Sequence, residues 1–198
     1  MMAQRDSLGP GPVRAFARSV ITTGRLAATG RLKSPRGYLG SRLQFADDTT
    51  SFVFRETVVH DGDPADPAVL VVQFRLWALG RSPLLHALFR RECILHTPLF
   101  AGFPGFRSKL WASDTTTGVY RGLYQWDGAA QASEYAATLA RLLRPFSTRG
   151  SVRYRILSGL RRDDVLRDPE LLATAADGEQ DAWWRLVQPV PPVPVGSR

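Results

Sequence analysis

The stretch FRSKLWASDTTTGVYRGLYQW, residues 106–126, has the pattern of two β-strands joined by a turn. Residues 106–113 and 119–126 each alternate between two kinds of side chain, as strands do. The segment DTTTG between them combines an aspartate, which forms local hydrogen bonds, with a glycine, as tight turns do. We therefore expect an antiparallel hairpin at the centre of the fold.

Helix and strand signals continue on both sides of this hairpin. Upstream, residues 69–77 predict a strand that is almost continuously apolar at its start, and a helix is expected to begin at Pro83. Downstream, residues 129–143 predict a second helix and residues 151–157 a last strand. The resulting order, β-α-β-β-α-β, predicts an α+β fold with a ferredoxin-like core.

One face of such a sheet is covered by the two helices, and the other face is left open. On the predicted strands, aromatic and aliphatic side chains occur on both faces, so neither face has the composition of a solvent-exposed surface. The simplest cover for the open face is a second copy of the chain. The sequence therefore predicts a homodimer in which two sheets meet as a dimeric α+β barrel.

The remaining segments flank this core. We divide the chain into a basic, loosely ordered arm at 1–40, a β-hairpin extension at 41–60, the barrel domain at 69–157, and a C-terminal extension at 158–198 with a proline-rich tail. Two alternatives stay open for the arm. A short amphipathic helix over 13–23 suits a surface or a partner, and the arginine-rich, acid-poor composition also suits a targeting segment.

The positive charge of the chain is concentrated in the arm. The 198 residues carry 26 basic and 18 acidic side chains, a net charge of +8. Residues 1–43 hold eight basic residues against Asp6 alone, so +7 of this charge lies there. A nucleic-acid-binding domain usually spreads its basic residues over the folded surface, so nucleic acid is not the expected partner. Peripheral membrane contact through residues 1–40 stays open.

Signals for targeting, metals and cofactors are few. The sequence has neither an apolar run long enough to span a bilayer nor a secretory signal core, and we expect a cytoplasmic protein. Cys93 is the single cysteine, which excludes an intramolecular disulfide and a cysteine-rich metal site. The histidines, His60, His86 and His96, lack the spacing of a metal site, and glycine-rich nucleotide-binding loops are absent. We expect no metal and no cofactor.

Aromatic and basic side chains gather on the predicted strands and on the first helix of the core. An apolar pocket with a few polar groups is the usual form of a site for a flat, hydrophobic small molecule. The alternative is that these aromatics belong to the core or to a subunit interface. The residues predicted to bind such a molecule are Trp77, Arg90, Trp111, Tyr120 and Trp126.

Four short motifs occur in order within residues 69–157. They are Pro104-Gly105-Phe106, Lys109 with Trp111, Gly122 with Tyr124 and Trp126, and Ala132 with Tyr135. With these motifs the chain resembles the YdhR family, a branch of the antibiotic-biosynthesis-monooxygenase-like proteins with the dimeric α+β barrel fold. The resemblance implies a homodimer with a pocket between sheet and helices in each subunit. The arm, the hairpin extension, the C-terminal extension and residues 99–103 depart from the family pattern.

Relatives in the wider group include cofactor-free oxygenases of polycyclic phenols, haem-degrading enzymes, and isomerases or decarboxylases, and a fold alone does not choose among them. Our first hypothesis is a cofactor-independent monooxygenase of a hydrophobic aromatic or polyketide-like molecule. Its candidate catalytic residues are Lys109 as a cation that stabilises an enolate, Tyr124 as a phenol donor and His86 as a base. The alternative is a non-catalytic protein on the same fold that binds a small ligand or a partner.

Overall fold

The computed structural model describes residues 12–59, 62–77, 82–92, 97, 100–176 and 181–192, so His60, Cys93 and His96 lie outside the described residues. The strands in this part of the chain are β1 (Leu32–Lys33), β2 (Arg42–Gln44), β3 (Thr50–Val59), β4 (Pro67–Arg75), β5 (Phe106–Ser113), β6 (Val119–Asp127) and β7 (Arg153–Ser158). The helices are α1 (Pro12–Ala28), α2 (Pro83–Glu92), α3 (Ala129–Leu143) and α4 (Arg162–Arg167), with short 3-10 turns at Arg144–Phe146, Pro169–Leu172 and Thr174–Ala176.

The core of the sheet has ferredoxin-like topology. Its strands lie in the order β7-β4-β6-β5, and each neighbouring pair is antiparallel. The first core strand thus lies between the third and the fourth, and the second core strand follows the third, as in a β-α-β-β-α-β unit. The predicted α+β fold with a ferredoxin-like core is confirmed.

β3 extends this core sheet beyond β5. It pairs antiparallel with β5, and β2 pairs with the first part of β3, so the hairpin expected over residues 41–60 belongs to the same sheet as the core. Asp48, in the turn before β3, has a φ of 59°. Aspartate is one of the few residues other than glycine that adopts this left-handed region readily. β1 then pairs with the end of β3.

α1, α2 and α3 lie on one face of the sheet, here termed the helical face. α3 turns a stripe of small residues and one aromatic toward the strands, with Ala132, Tyr135, Ala136 and Leu139 buried. Because alanine is small, α3 lies close to the sheet, and the Tyr135 ring packs at 4.9 Å from the ring of Trp126 on β6. The helical face is therefore a dense aromatic core.

α1 lies on the same face and occupies part of the basic arm. Its buried residues, Ser19, Thr23 and Leu26, follow a spacing of three to four and form one face of the helix. Leu26 joins the aromatic core of the helical face. A Cβ atom at Gly102 would collide with the backbone of Ser19, so the helix rests directly on that glycine. Of the alternatives for the arm, the amphipathic helix expected over 13–23 coincides in position with α1.

The opposite face of the sheet is covered by the chain itself, which corrects the expectation of an open face. Val69, Val71, Leu110 and Leu123 of the core strands pack there against residues that follow β7. Those covering residues are Val165, Leu166, Leu172, Trp183, Trp184, Leu186 and Val190, together with Phe45 near β2. Each fully buried leucine contributes about 1.5–3 kcal/mol to folding. The homodimer was inferred from an uncovered face, and that inference loses its basis.

None of the helices among the described residues combines the length and the apolar character needed to cross a bilayer.

Candidate functional site

Lys109 lies buried in a cage of aromatic rings on the helical face. The register of β5 and β6 places Lys109 beside Tyr124, and the side chain of Lys109 is only 5% exposed. Its Nζ atom lies 3.1 Å from the centre of the Trp111 ring, 4.6 Å from that of Phe100 and 4.7 Å from that of Tyr124. The π-faces of these rings attract a cation, and the attraction is strongest where water is excluded. We call Lys109, Phe100, Trp111 and Tyr124 the lysine cage.

Two tyrosine hydroxyls meet at the edge of the lysine cage. The hydroxyl oxygens of Tyr124 and Tyr135 are 3.3 Å apart and buried. Burial raises the pKa of Tyr135 well above its ordinary value, and the neighbouring Tyr124 adds to this shift. Tyr135 therefore keeps its proton at neutral pH and can act as a hydrogen-bond donor. Trp111 is oriented by its own hydrogen bond, since its Nε1 donates to Oγ1 of Thr57 at 3.2 Å.

Gly122 makes room for the ring of Tyr124. Both residues point to the helical face of β6, and a Cβ atom on Gly122 would come within 2.5 Å of the Tyr124 ring. Trp111 stands directly opposite Gly122 on β5. Any larger residue at this position would push the phenol ring away from Lys109, which explains the Gly-x-Tyr motif physically.

His86 forms a second buried polar pair, with Tyr120. Its Nδ1 atom lies 2.7 Å from the Tyr120 hydroxyl oxygen, and both side chains are buried. Phe89, one helical turn further along α2, packs edge-on against Tyr120 at 4.8 Å. Tyr120 and Tyr124 are four residues apart on one strand, which separates them by about 13 Å along the sheet. The pair therefore lies at the other end of the aromatic face from the lysine cage.

The remaining predicted binding residues are not all brought to this face. Trp126 is fully buried and packs between Phe106 and Tyr135, as a wall of the core beside the cage. Trp77 is 62% exposed, and its Nε1 donates a hydrogen bond to the carbonyl oxygen of Pro145. The guanidinium of Arg90 lies 5.6 Å from the ring centre of Phe52. These contacts of Trp77 and Arg90 do not bring either residue together with Lys109.

Phe100 and Tyr135 belong to the site but were not among the predicted site residues. Phe100 precedes the Pro-Gly-Phe motif in an irregular stretch that no periodicity assigns to a face, so only the structure reveals its contact with Lys109. The sequence did contain a sign that Tyr135 is important, because this residue is the single aromatic in an alanine-rich stripe of a predicted helix. Such an isolated aromatic indicates a specific partner on the sheet.

A buried ion pair lies on the opposite face of the sheet. Nη2 of Arg162 donates to Oε1 of Glu56 at 2.9 Å, and both side chains are at most 5% exposed. Burial raises the pKa of Glu56, while the neighbouring Arg162 opposes the rise. Arg162 also lines a polar cleft of about 260 Å³ with Ser108 and Gln125. This pair ties α4 to β3 and so holds the C-terminal extension on the sheet.

A larger cleft, of about 780 Å³, opens between α1 and the 101–107 loop. Leu26, Val59 and Phe106 form its apolar wall, and Arg31 and Gln131 contribute polar groups. Among the described residues, no group of three or more histidine, cysteine, aspartate or glutamate side chains is placed to hold a metal ion.

Comparison with known proteins gives only distant structural likenesses. No protein-family model and no curated protein sequence matches the chain. A monooxygenase-like protein from Listeria innocua is 14% identical with a TM-score of 0.36, and the match covers 57% of this chain and 65% of that one, less than two thirds of its length. An uncharacterized ferredoxin fold protein from Listeria monocytogenes, related to antibiotic biosynthesis monooxygenases, is 13% identical with a TM-score of 0.40. That match covers 70% of this chain and 88% of the other chain.

A third solved structure, a heme-degrading enzyme from Listeria monocytogenes, is 12% identical over 63% of this chain and 95% of that chain, with a TM-score of 0.38. Likenesses this distant carry no argument about activity. From its own topology, the chain is an α+β protein with a ferredoxin-like core. What distinguishes it is a lysine buried among aromatic rings on the helical face of the sheet.

Proposed function

We propose that the chain is a cofactor-independent monooxygenase that binds a flat, hydrophobic molecule with an acidic phenol or enol group on the helical face. One observation carries the proposal: the ammonium of Lys109 is held in a buried cage of three rings beside the Tyr124–Tyr135 hydroxyl pair. The ammonium group, together with the one hydroxyl proton that the tyrosine pair does not share between its two oxygens, forms in an apolar surrounding an environment that stabilises an oxyanion.

The size of this stabilisation supports the role. An enolate oxygen at about 4 Å from an ammonium gains about 4 kcal/mol at an effective dielectric constant of about 20. That gain lowers the pKa of the bound enol by about three units. Bound beside Lys109, such a substrate ionises more readily than it does in water. The aromatic rings around Lys109 also exclude water from the enolate that forms.

The proposed reaction needs dioxygen as its only co-substrate. The substrate loses a proton, and its enolate passes one electron to dioxygen. The substrate radical and superoxide then combine, and protonation gives a hydroperoxide. Loss of water from that hydroperoxide converts a methylene carbon into a ketone, so one oxygen atom enters the product and the other leaves as water. His86 is the predicted proton acceptor. Since it lies beside Tyr120, about 13 Å along the sheet from Tyr124, it can take this proton only from a substrate long enough to span that distance, and a shorter molecule such as anthrone must lose its proton to solvent.

Ligand binding without turnover is the second candidate function. The observation in its favour is the cleft of about 780 Å³ beside α1, which has an apolar wall of Leu26, Val59 and Phe106. Lys109, Trp111 and Tyr124, in contrast, are at most 7% exposed, so a substrate must displace some of their contacts to reach them. Membership of the YdhR family remains a finer proposal. A homodimer was the expected partner, but because the sheet face is covered within the chain we propose a monomer in its place.

The test compares the two lysines of the chain, with anthrone as an enolisable probe. Lys109→Met removes the charge from the cage and keeps most of the side-chain length, whereas Lys33→Met removes the charge of an exposed lysine on β1. We expect oxygen consumption and anthraquinone formation by the unaltered chain and by Lys33→Met. We expect a loss of about 100-fold or more in Lys109→Met, the magnitude typical of removing one oxyanion-stabilising group.

Binding is measured in parallel by quenching of tryptophan fluorescence. Anthrone that binds without oxygen consumption in the unaltered chain would reject the oxygenase and leave the binding function. Equal turnover in the two lysine variants would reject the role of Lys109.

A further inference from the structure

α2 exposes apolar side chains on its outer side. His86 is buried and Phe89 is half-buried against the sheet, so the inner side of α2 is packed against the body of the protein. On the outer side, Leu84 is 76% exposed and Leu88, one turn further, is 49% exposed. A helix that packs by one side only is expected to be polar on the other. The outer leucines of α2 are therefore unexplained by the fold.

α1 repeats this arrangement on the same side of the molecule. Its buried residues face Gly102 and the aromatic core, while Ile21 is 59% exposed and Val20 is 42% exposed. α1 and α2 both contribute to the core of the helical face, through Leu26 and Phe89, so their outer sides face away from the sheet together. Of the ten large apolar side chains most exposed in the described part of the chain, five lie on these two helices.

The charge around these apolar residues is mainly positive along the chain, although Glu92 follows Arg91 at the end of α2. Residues 7–46 contain seven basic residues and no acidic one. Arg25 follows Ile21 by one turn on α1, and Arg91 follows Leu88 by three residues on α2, and both are exposed. Exposed leucine and isoleucine flanked by arginine on helices are typical of an interfacial membrane contact, since apolar side chains enter the acyl region and cations meet anionic headgroups.

We propose that the outer sides of α1 and α2 form a docking surface for an anionic phospholipid bilayer. We define this surface by Ile21, Arg25, Leu84, Leu88 and Arg91. The positive charge of this surface favours an anionic partner. The exposed leucines favour lipid over nucleic acid, because phosphate backbones attract arginine but provide no apolar environment in which leucine can be buried. The proposal does not depend on the proposed catalytic function.

The test is flotation of the full chain with two kinds of vesicle. One contains phosphatidylcholine with roughly one third phosphatidylserine, and the other contains phosphatidylcholine alone. The test variant is Leu84→Gln/Leu88→Gln, which alters two exposed residues. The matched control is Leu171→Gln, a residue 40% exposed in the Pro169–Leu172 turn, which covers the opposite face of the sheet. Circular dichroism and a melting curve establish that each variant is folded.

We expect the unaltered chain and Leu171→Gln to float with the phosphatidylserine vesicles and to be released by salt. We expect the double variant to bind about tenfold or more weakly, and phosphatidylcholine vesicles to bind little. Equal binding by the double variant, or failure of the unaltered chain to bind at low salt, would overturn the proposal. Binding to duplex DNA in the absence of vesicle binding would overturn it in favour of nucleic acid.

Discussion

At the scale of single residues, the described part of the chain buries three cations, Lys109, Arg121 and Arg162, and two of them show different ways of stabilising a buried charge. Lys109 is surrounded by the faces of aromatic rings, whereas Arg162 is paired with the carboxylates of Glu56 and Asp163. Burying a paired charge adds little net stability, but removing one partner leaves the other charge without compensation. Because its partner Glu56 is also buried, Arg162 is a residue at which a single substitution carries a large electrostatic cost.

We predict that Arg162→Met lowers the free energy of unfolding by about 3–5 kcal/mol at neutral pH, because it leaves Glu56 buried without its cation. The control is Arg161→Met, whose ion pair with Asp63 is largely exposed and is worth about 1 kcal/mol or less. Urea unfolding curves measure both losses. Similar losses in the two variants would contradict the role assigned to the buried pair.

The pH dependence of the Arg162→Met variant has a definite sign. The pKa of Glu56 in the folded chain is already raised by burial, and loss of Arg162 removes the main influence that lowers it. When the pKa of a carboxyl group is higher in the folded chain than in the unfolded chain, that group favours folding at pH values below its unfolded pKa. This contribution to stability is lost as the pH rises through the pKa of the folded chain. The loss of stability in the variant should therefore become smaller as the pH falls below neutral. A deficit that grows on acidification would contradict this assignment.

At the scale of elements, strand alternation predicted which residues share a face. Tyr120, Tyr124 and Trp126 were expected on one side of β6, and all three pack on the helical face, since a period of two leaves no other choice once one residue is placed. The position of Phe100 was not predictable, because it lies in an irregular stretch between elements. His86 was expected near Lys109, but α2 lies over the other end of β6.

The seating of α1 depends on one glycine. We predict that Gly102→Ala displaces α1 from the body, because the added Cβ would collide with the Ser19 backbone. Trypsin should then cut at Arg25 faster than in the unaltered chain, while the core sheet stays resistant. Gly37→Ala is the control, since its Cβ would meet only the Glu56 side chain at an ordinary 3.8 Å. Unchanged cleavage at Arg25 would show that α1 tolerates the collision.

At the scale of the whole molecule, the decisive feature is that residues after β7 cover the sheet face that was expected to meet a second copy. As large apolar residues, Trp183 and Trp184 were expected to anchor the tail to the body, but they lie in a segment without helical or strand periodicity, so the sequence did not show which surface they cover. Which surface a segment covers depends on contacts between residues that are far apart in the chain, and local sequence patterns do not encode such contacts. Coverage by this segment makes the two-layer core complete within one chain.

We predict that the full chain has the mass of a monomer, 21.9 kDa, in native mass spectrometry. A chain ending at Ser158 would expose Val69, Val71, Leu110 and Leu123, and we expect it to associate, because an uncovered apolar face of this kind drives self-association. A dimer of the full chain together with a monomeric truncated chain would contradict the assignment of the C-terminal extension as the cover.

Coverage by a segment that follows β7 also sets the order of events during synthesis. Every strand of the sheet is translated before the tryptophans that cover it. At about 5–20 residues per second, adding residues 159–190 takes about 2–6 s. Until this segment has emerged and docked, the apolar face of the sheet is not covered within the chain, so slow translation of residues 159–190 prolongs the time in which this face can meet a chaperone or another nascent chain.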